Sequence, residues 1–377
     1  MRKIFLLISL LLINASAKDA FVYLATSDRA ALDVFSLNEK SGELKKLTSV
    51  PLSDNPDVLA FSKDKKFIYV GLRKSQPKKK KGKKTPVVKS DGTRGIIVSL
   101  EIGADGIPVK KASIASDIQV RFMSPDHTGK YLLVTDYFAG KSSVIKLQNG
   151  IAGKEVVSQQ ETEPFSHSIV ISKNNKFAYA PHTAPNKVYQ FKFDEKTGAL
   201  SNNGSSQSPP KDDKRYFAPR HAAWHPILPV LYTSNEHSGG ISTWKMNSDG
   251  SLQLVQTLSS LPADYEGNST AADVQVTPDG KYVYVSNRGK KGATSKSGTN
   301  TLACFAIDTK SGEVKKAGHF KTAERPRSFY IAPSGKSVIA AGQASKSLAV
   351  HSLGADGSLS LQKTVSVDGR PNWLLIK

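Results

Sequence analysis

One unit recurs seven times between Phe21 and Ala341: a polar turn, an apolar run, a loop, an alternating strand and a glycine hairpin. Its recurrence predicts an all-β fold, a seven-bladed β-propeller. Three observations carry the prediction. The apolar runs return at intervals of 46 to 64 residues. Most units end in an Asp-Gly or Ser-Gly turn, where glycine accepts a positive φ. Finally, Arg370-Pro-Asn-Trp-Leu-Leu-Ile-Lys377 copies the opening strand of a unit, like Arg325-Pro-Arg-Ser-Phe-Tyr-Ile331, but nothing follows it. The unit begun by Phe21 lacks that opening strand, so the ring is expected to close by the C-terminal strand joining the N-terminal blade, leaving no open edge.

In chain order, Met1 to Ala17 has the parts of an export signal: Arg2 and Lys3, the apolar run Ile4 to Ile13, and the small residues Ala15-Ser-Ala17. The mature chain is expected to start at Lys18 and to be periplasmic or secreted. The apolar run is too short for a transmembrane anchor, and no other segment approaches the length of one. Residues 18–377 read as a single propeller domain, because repeated units share one continuous core. The second strands of the units begin at Phe21, Phe67, Tyr131, Phe177, Val230, Tyr282 and Ser337. Five of them follow similar turns, from Ser62-Lys-Asp-Lys-Lys66 to Ala332-Pro-Ser-Gly-Lys336. Third strands follow at Val34 to Leu37, Ile97 to Ile102, Val144 to Leu147, Val188 to Phe193, Ile241 to Met246, Leu302 to Ile307 and Leu348 to Leu353.

The formal charge is +21, from 53 basic and 32 acidic residues. Much of the excess sits in a basic insertion at 75–95, where Lys78 to Lys84 holds six lysines in seven positions, and in a second run with Lys290, Lys291 and Lys296. No aromatic residues are interleaved with these lysines, so no specific nucleic acid is expected; a weak contact with surface polyanions through Lys78 to Lys84 is. The single cysteine, Cys304, excludes an internal disulfide and a cysteine zinc site, and its place in an alternating strand makes it a buried filler.

In a propeller the first strands line the channel, and their starts share a face with the ends of the second strands. Aligning first strands on Phe61, Met123, Ile171, Trp224, Val276, Ile331 and Ile376 gives a ring of Asp57, Gln119, His167, Arg220, Ala272, Arg327 and Asn372. Second-strand ends give a ring of Ser27, Arg73, Tyr137, Thr183, Glu236, Arg288 and Gln343. β geometry requires no charge at these points, yet they gather arginines, two carboxylates and a histidine around one mouth, as an anion site would. A water-filled channel with self-paired charges is the plainer alternative.

Motif absences narrow the chemistry. The chain has no Gly-x-Ser-x-Gly, no His-Glu-x-x-His, no Cys-x-x-Cys and no phosphate loop, so serine-nucleophile, zincin and nucleotide reactions fall away, and no metal or cofactor is expected. His221 and His225 are spaced like metal ligands, but the repeat puts His225 at an ordinary turn position and favours a structural role. The remaining groups suit addition of water to an activated ester. Glu236 or His167 is the candidate base, with Arg220 and Arg288 holding an anion or the developing oxyanion.

These residues also carry a family resemblance. Ala218-Pro-Arg-His-Ala-Ala-Trp-His-Pro226, Tyr232-Thr-Ser-Asn-Glu236, Ala271-Ala-Asp273, Arg325-Pro-Arg-Ser-Phe329 and Ala340-Ala-Gly-Gln343 resemble the seven-bladed propeller lactonase family, over nearly all of the mature chain. The resemblance implies that the active-site histidine is His167, the two arginines Arg220 and Arg288, and the glutamate Glu236. Arg73, Asp57, Asp273, Arg327 and Gln343 are expected to touch substrate or to brace the arginines. The expectation is an exported, metal-independent lactonase acting on a small, anionic sugar lactone. The alternatives are a muconate-type lactonising cyclase and a non-catalytic propeller that binds polyanions or protein partners.

Overall fold

The computed structural model describes residues 20–73, 93–208, 217–237, 239–263, 265, 269–289 and 299–377. Within them the chain forms seven four-stranded antiparallel sheets and no helix. The export-signal residues 1–17, Lys78 to Lys84 and the run from Lys290 to Lys296 lie outside the described residues.

Each sheet is a blade. Blades 2 to 7 start with inner strands Asn55–Phe61, Val120–Pro125, Val170–Ile171, Pro219–Trp224, Thr270–Val276 and Pro326–Ile331. Their second strands are Phe67–Arg73, Tyr131–Asp136, Phe177–His182, Val230–Asn235, Tyr282–Arg288 and Ser337–Gly342. Blade 1 takes its second strand, Ala20–Thr26, from one end of the chain and its inner strand, Pro371–Ile376, from the other. The expected closure is therefore present: Val22 pairs with Ile376 and Leu24 with Leu374, and Phe21 and Lys377 exchange backbone hydrogen bonds of 3.0 and 2.9 Å.

Second strands are buried on both faces, which is why they read as unbroken apolar runs. The turn ahead of five of them bends through one residue of positive φ: Lys65, Gly129, Asn175, Gly280 and Gly335. Side chains cap these turns. Ser62 Oγ accepts from Phe67 N at 2.9 Å, and Asp126 Oδ1 accepts from Tyr131 N at 2.9 Å.

The hairpin glycines lock one blade to the next. Tyr23 Oη donates to Gly106 O of blade 2, Tyr69 to Gly150 O, Tyr179 to Gly250 O, Tyr232 to Gly312 O and Tyr284 to Gly357 O, at 2.6 to 2.9 Å. A Cβ on Gly106 would lie 2.3 Å from the Phe21 ring, and one on Gly250 2.2 Å from Phe177. Glycine is required at these places both for its φ and for the aromatic ring pressed on it. Apolar clusters fill the space between sheets; one joins Tyr23 and Val34 of blade 1 to Leu59, Val70 and Val98 of blade 2. Cys304 is buried between blades 6 and 7, and its thiol is raised to about 11, first by burial.

Every inner strand carries one extra residue near its start. In blade 2, Pro56 pairs with Leu72 and Val58 with Gly71, so Asp57 is inserted. Arg121, Arg327 and Asn372 sit at the same place in blades 3, 7 and 1. Two residues face one in blades 5 and 6, where Arg220 and His221 oppose Ser234, and Ala272 and Asp273 oppose Ser286. Blade 4 keeps the count, with Ser166 bridged to His182 and Val170 paired with Tyr179, but its inner strand shortens to two residues as the chain turns at Phe165 (φ 77°). Such bulges twist a strand and re-aim its side chains.

The sheet pairing corrects one position of the expected ring. Pro125, not Met123, occupies the place of Phe61 and Ile171, because it pairs with Leu132 as Phe61 does with Ile68. The ring member in blade 3 is therefore Arg121, not Gln119, whose N–H is taken by Asp136 at 2.9 Å. The longer turn of that blade, Ser124 to Lys130, hid the two extra strand residues.

Ending the chain at Gly369 should open the ring. Leu374, Leu375 and Ile376 are buried, each contributing about 1.5–3 kcal/mol. Their sum rivals a typical total stability of about 5–15 kcal/mol. The expected result is a collapsed melting transition and aggregation through the freed edge of Ala20–Thr26, followed by scanning calorimetry and size-exclusion chromatography. A cooperative, monomeric truncation with the parent melting temperature would contradict the closure.

Candidate active site

In blades 1, 3, 5 and 6 the bulges place two successive residues of the inner strand at the channel, in two layers. The outer layer is Asp57, Arg121, His167, Arg220, Ala272, Arg327 and Asn372, and the second-strand ends Arg73, Tyr137, Glu236, Arg288 and Gln343 surround it. The inner layer holds Phe122, His221, Asp273 and Trp373.

Two carboxylate centres organise the outer layer. Glu236, whose N–H is fixed to Ala218 O at 2.8 Å, puts Oε1 2.5 Å from an Arg288 nitrogen and 3.6 Å from Arg220 Nε. Arg288 also donates to Ala271 O at 3.1 Å and Thr270 O at 3.4 Å, so its plane is fixed from two sides. Arg220 is almost wholly enclosed, and its NH1 donates to Ala272 O at 2.8 Å and His221 Nε2 at 3.0 Å. Its Nε makes no hydrogen bond. Asp57 forms the second centre: Arg73 lies 3.0 Å and Arg121 2.9 Å from Oδ2, and Asn372 donates to Oδ1 at 2.8 Å. Gln343 extends this centre through a 3.4 Å bond to Asn372.

Both carboxylates are held ionised. Burial alone would raise Glu236, but Arg220 and Arg288, with Arg327 behind them, bring it down to about 2. Burial opposes Asp57 in the same way, and Arg121, Arg73 and Arg327 lower it on balance. The imidazoles are held neutral. His167 falls well below 6.5, first through burial and then through Arg220, His221 and Arg121; His221 falls to about 4 for the same first reason, with Arg220 next. His167 Nδ1 is buried and has no hydrogen-bond partner among the described residues.

Five guanidinium groups, of Arg73, Arg121, Arg220, Arg288 and Arg327, thus meet three carboxylates, of Asp57, Glu236 and Asp273, with the histidines uncharged. A self-paired structural network would balance. Arg327 is the informative member: among the described residues no hydrogen bond or ion pair holds its side chain, while burial, Arg288 and Arg121 depress it only to about 10, so it stays charged. The mouth continues outward into a cleft of about 450 Å³ lined by Arg325, Gln343, Lys346 and Arg370.

The inner layer closes the channel. Phe122, His221 and Trp373 meet edge to face or tilted at centroid distances of 5.3 to 5.5 Å, and His167 rests on His221 at 5.2 Å. Beyond them a cavity of about 460 Å³ runs toward the opposite face, past the turns bearing Lys65, Pro125, Pro278 and Pro333.

Glu236, Arg220, Arg288, Arg327, Asp57, Arg73 and Gln343 thus share one mouth, with His167 beside Arg220. Asp273 differs: Oδ1 accepts from His221 Nδ1 and Val274 N at 2.9 and 3.0 Å, and Oδ2 from Phe329 N at 3.3 Å, so protein donors occupy both oxygens. Arg121, His221, Phe122 and Trp373 are the residues that sequence reasoning missed at the site. Arg121 stands four places before the strand end at Pro125, as Asp57 does before Phe61, a spacing that the longer turn of blade 3 obscures in the sequence. His225 is structural, accepting from Ile227 N and Leu228 N at its Nδ1 and bonding Gly280 O through Nε2.

Comparison with known proteins agrees with this architecture. The family model described as a seven-bladed β-propeller lactonase matches residues 21–376. A 6-phosphogluconolactonase of Cronobacter sakazakii is 29% identical over 360 residues, covering 94% of this chain and 97% of that protein. Among solved structures, the periplasmic gluconolactonase of Pseudomonas aeruginosa superposes with a TM-score of 0.80 at 22% identity, over 95% of this chain and 99% of that one. A Lactobacillus plantarum protein gives 0.79 at 19% identity, again over 95% and 99%. These two structures share the fold.

Replacing Glu236 with Gln should destabilise the protein at pH 7 by about 3–5 kcal/mol, because it leaves buried Arg220 and Arg288 without their counter-charge. The ionised carboxylate contributes stability above its ordinary value of 4.5 and loses it as pH falls through about 2. The gap between wild type and variant should therefore narrow over that window in denaturant titrations. A gap independent of pH would contradict the assignment.

Proposed function

The chain belongs to the seven-bladed β-propeller lactonase family, enzymes of lactone hydrolysis, and from that premise we propose that it hydrolyses a sugar lactone to the aldonic acid at the mouth around Glu236. The observation that carries this reading is a surplus of fixed guanidinium groups, one of them unpaired, beside a neutral histidine with a free nitrogen.

His167 is the better of the two candidate bases. Glu236 Oε1 is already held by Arg288 and faces Arg220, so it serves as the anchor that fixes both, whereas His167 Nδ1 has no hydrogen-bond partner among the described residues. In the proposed reaction the neutral imidazole of His167 takes a proton from water as the water oxygen attacks the lactone carbonyl carbon. Arg220, Arg288 and Arg327 stabilise the oxyanion of the tetrahedral intermediate. Collapse breaks the bond to the ring oxygen, and the imidazolium returns its proton to that leaving alkoxide. Arg73, Asp57 and Gln343 complete the binding surface, and the cleft of Arg325, Lys346 and Arg370 suits a substrate with negative charge away from the carbonyl. The reading is metal-independent. Its support is the donor set, since the carboxylates and the acceptor nitrogen of His221 are already bonded to arginines.

Hydrolysis of gluconolactone and 6-phosphogluconolactone, corrected for the spontaneous rate in buffer, tests this. His167→Ala should lower kcat by about 10²–10⁴-fold. For wild type, kcat/KM should stay level through pH 6.5 and decline only well below it, because burial and Arg220 hold the folded value of His167 well under 6.5. Activity should persist in a strong chelator. Wild-type rates in His167→Ala would remove the base, and a loss restored by zinc would refute the metal-free reaction.

Export is proposed as well, on the charged, apolar and small-residue pattern of Met1 to Ala17. The periplasmic name of the Pseudomonas aeruginosa protein is consistent with it. Expression in a Gram-negative host should yield periplasmic protein whose N-terminal sequence starts at Lys18. Cytoplasmic protein retaining Met1 would contradict it.

A further inference from the structure

We propose that Asp273 and His221 are positioning residues for Arg220, a buried relay that orients one guanidinium of the reactive mouth from the layer beneath it. The proposal rests on the assignment of Arg220 above, and its geometry is complete on the protein side. Asp273 Oδ1 lies 2.9 Å from His221 Nδ1, and His221 Nε2 lies 3.0 Å from Arg220 NH1. A carboxylate can only accept and a guanidinium can only donate. His221 must therefore be the neutral tautomer with its proton on Nδ1, donating to Asp273 and accepting from Arg220.

Neither partner is free to do otherwise. Asp273 is pinned by the main-chain N–H groups of Val274 and Phe329, which belong to blades 6 and 7. The His221 ring is wedged between Phe122 of blade 3 and Trp373 of blade 1, at 5.4 and 5.3 Å, with His167 of blade 4 at 5.2 Å. Five of the seven blades thus converge on one imidazole. Its Nε2 and Ala272 O share the NH1 group of Arg220, which turns the Nε edge of the guanidinium toward Glu236 at 3.6 Å. Without the imidazole acceptor, NH1 would keep a single fixed bond and the guanidinium could swing, although no group touching substrate had been altered.

The test combines three variants with two readouts. His221→Phe keeps the aromatic wedge and removes both nitrogens. Asp273→Ala removes the acceptor that keeps the proton on His221 Nδ1. His221→Gln offers Arg220 a carbonyl acceptor. A misplacement of about 1 Å can cost about 10²-fold, so His221→Phe and Asp273→Ala should each lower kcat by about that factor with little change in KM, and His221→Gln should recover part of it. Proton NMR of the wild type should show a low-field His221 Nδ1–H resonance, lost in Asp273→Ala and His221→Phe, with the Arg220 side-chain signals shifted in both.

Wild-type kcat in folded His221→Phe and Asp273→Ala, accompanied only by a lower melting temperature, would overturn the proposal and leave the pair a purely structural bond. Should those two fail to fold, absence of the low-field resonance from the wild type, or no shift of Arg220 in His221→Gln, would overturn it as well. If the wild type hydrolysed neither lactone, the functional reading would fail, while the spectra would still decide whether Asp273 and His221 orient Arg220.

Discussion

The structure depends on the contact by which five of the seven blades lean on the next: a tyrosine hydroxyl in the second strand bonded to the hairpin glycine carbonyl of the following blade. Each such bond contributes only about 1 kcal/mol net. Repetition gives it its effect, because with aromatic rings pressed onto the glycines it fixes the rotation between sheets five times in the same way. Rotation fixed in this way brings seven inner strands to one height and the two chain ends into one blade. No disulfide takes part, since the chain has a single cysteine and that one is buried.

Given strands at one height, the bulge becomes the device that makes a site. A regular strand would alternate its side chains between the channel and the neighbouring sheet. One extra residue at the same level in every inner strand breaks that alternation, and in blades 1, 3, 5 and 6 it leaves two consecutive residues at the channel at different depths. The upper members are largely charged or polar, and Arg220 is enclosed there at a desolvation cost that several fixed acceptors and Glu236 offset. The lower members include Phe122 and Trp373, which close the channel around His221. The mouth is therefore a cationic basin with an aromatic floor.

Geometry then separates two candidates of similar standing in the sequence. Glu236 and His167 sit beside the same arginines, and positive neighbours lower the proton affinity of both, holding the carboxylate charged and the imidazole neutral. The difference lies in their bonds: Glu236 Oε1 is held by Arg288, whereas His167 Nδ1 has no hydrogen-bond partner among the described residues. The proposal of His167 as base rests on that difference.

Fold class, blade count, closure and most of the mouth were legible in the chain, because they rest on local patterns: apolar runs, turns that need glycine or asparagine, and a C-terminal copy of an inner strand. Glu236, Arg220, Arg288, Arg327 and Asp57 could be placed by repeat position alone. Arg121 could not, since a longer turn concealed where its strand ended. The role of Asp273 was equally hidden, because its partners His221 and Phe329 lie 52 and 56 residues away and in different blades. A repeat determines which residue stands at each level of a blade. Which groups then touch across the axis, which of them keep a proton and which arginine is left without a partner are decided only when seven sheets close on one another, since hydrogen-bond reach and burial are properties of the assembled ring.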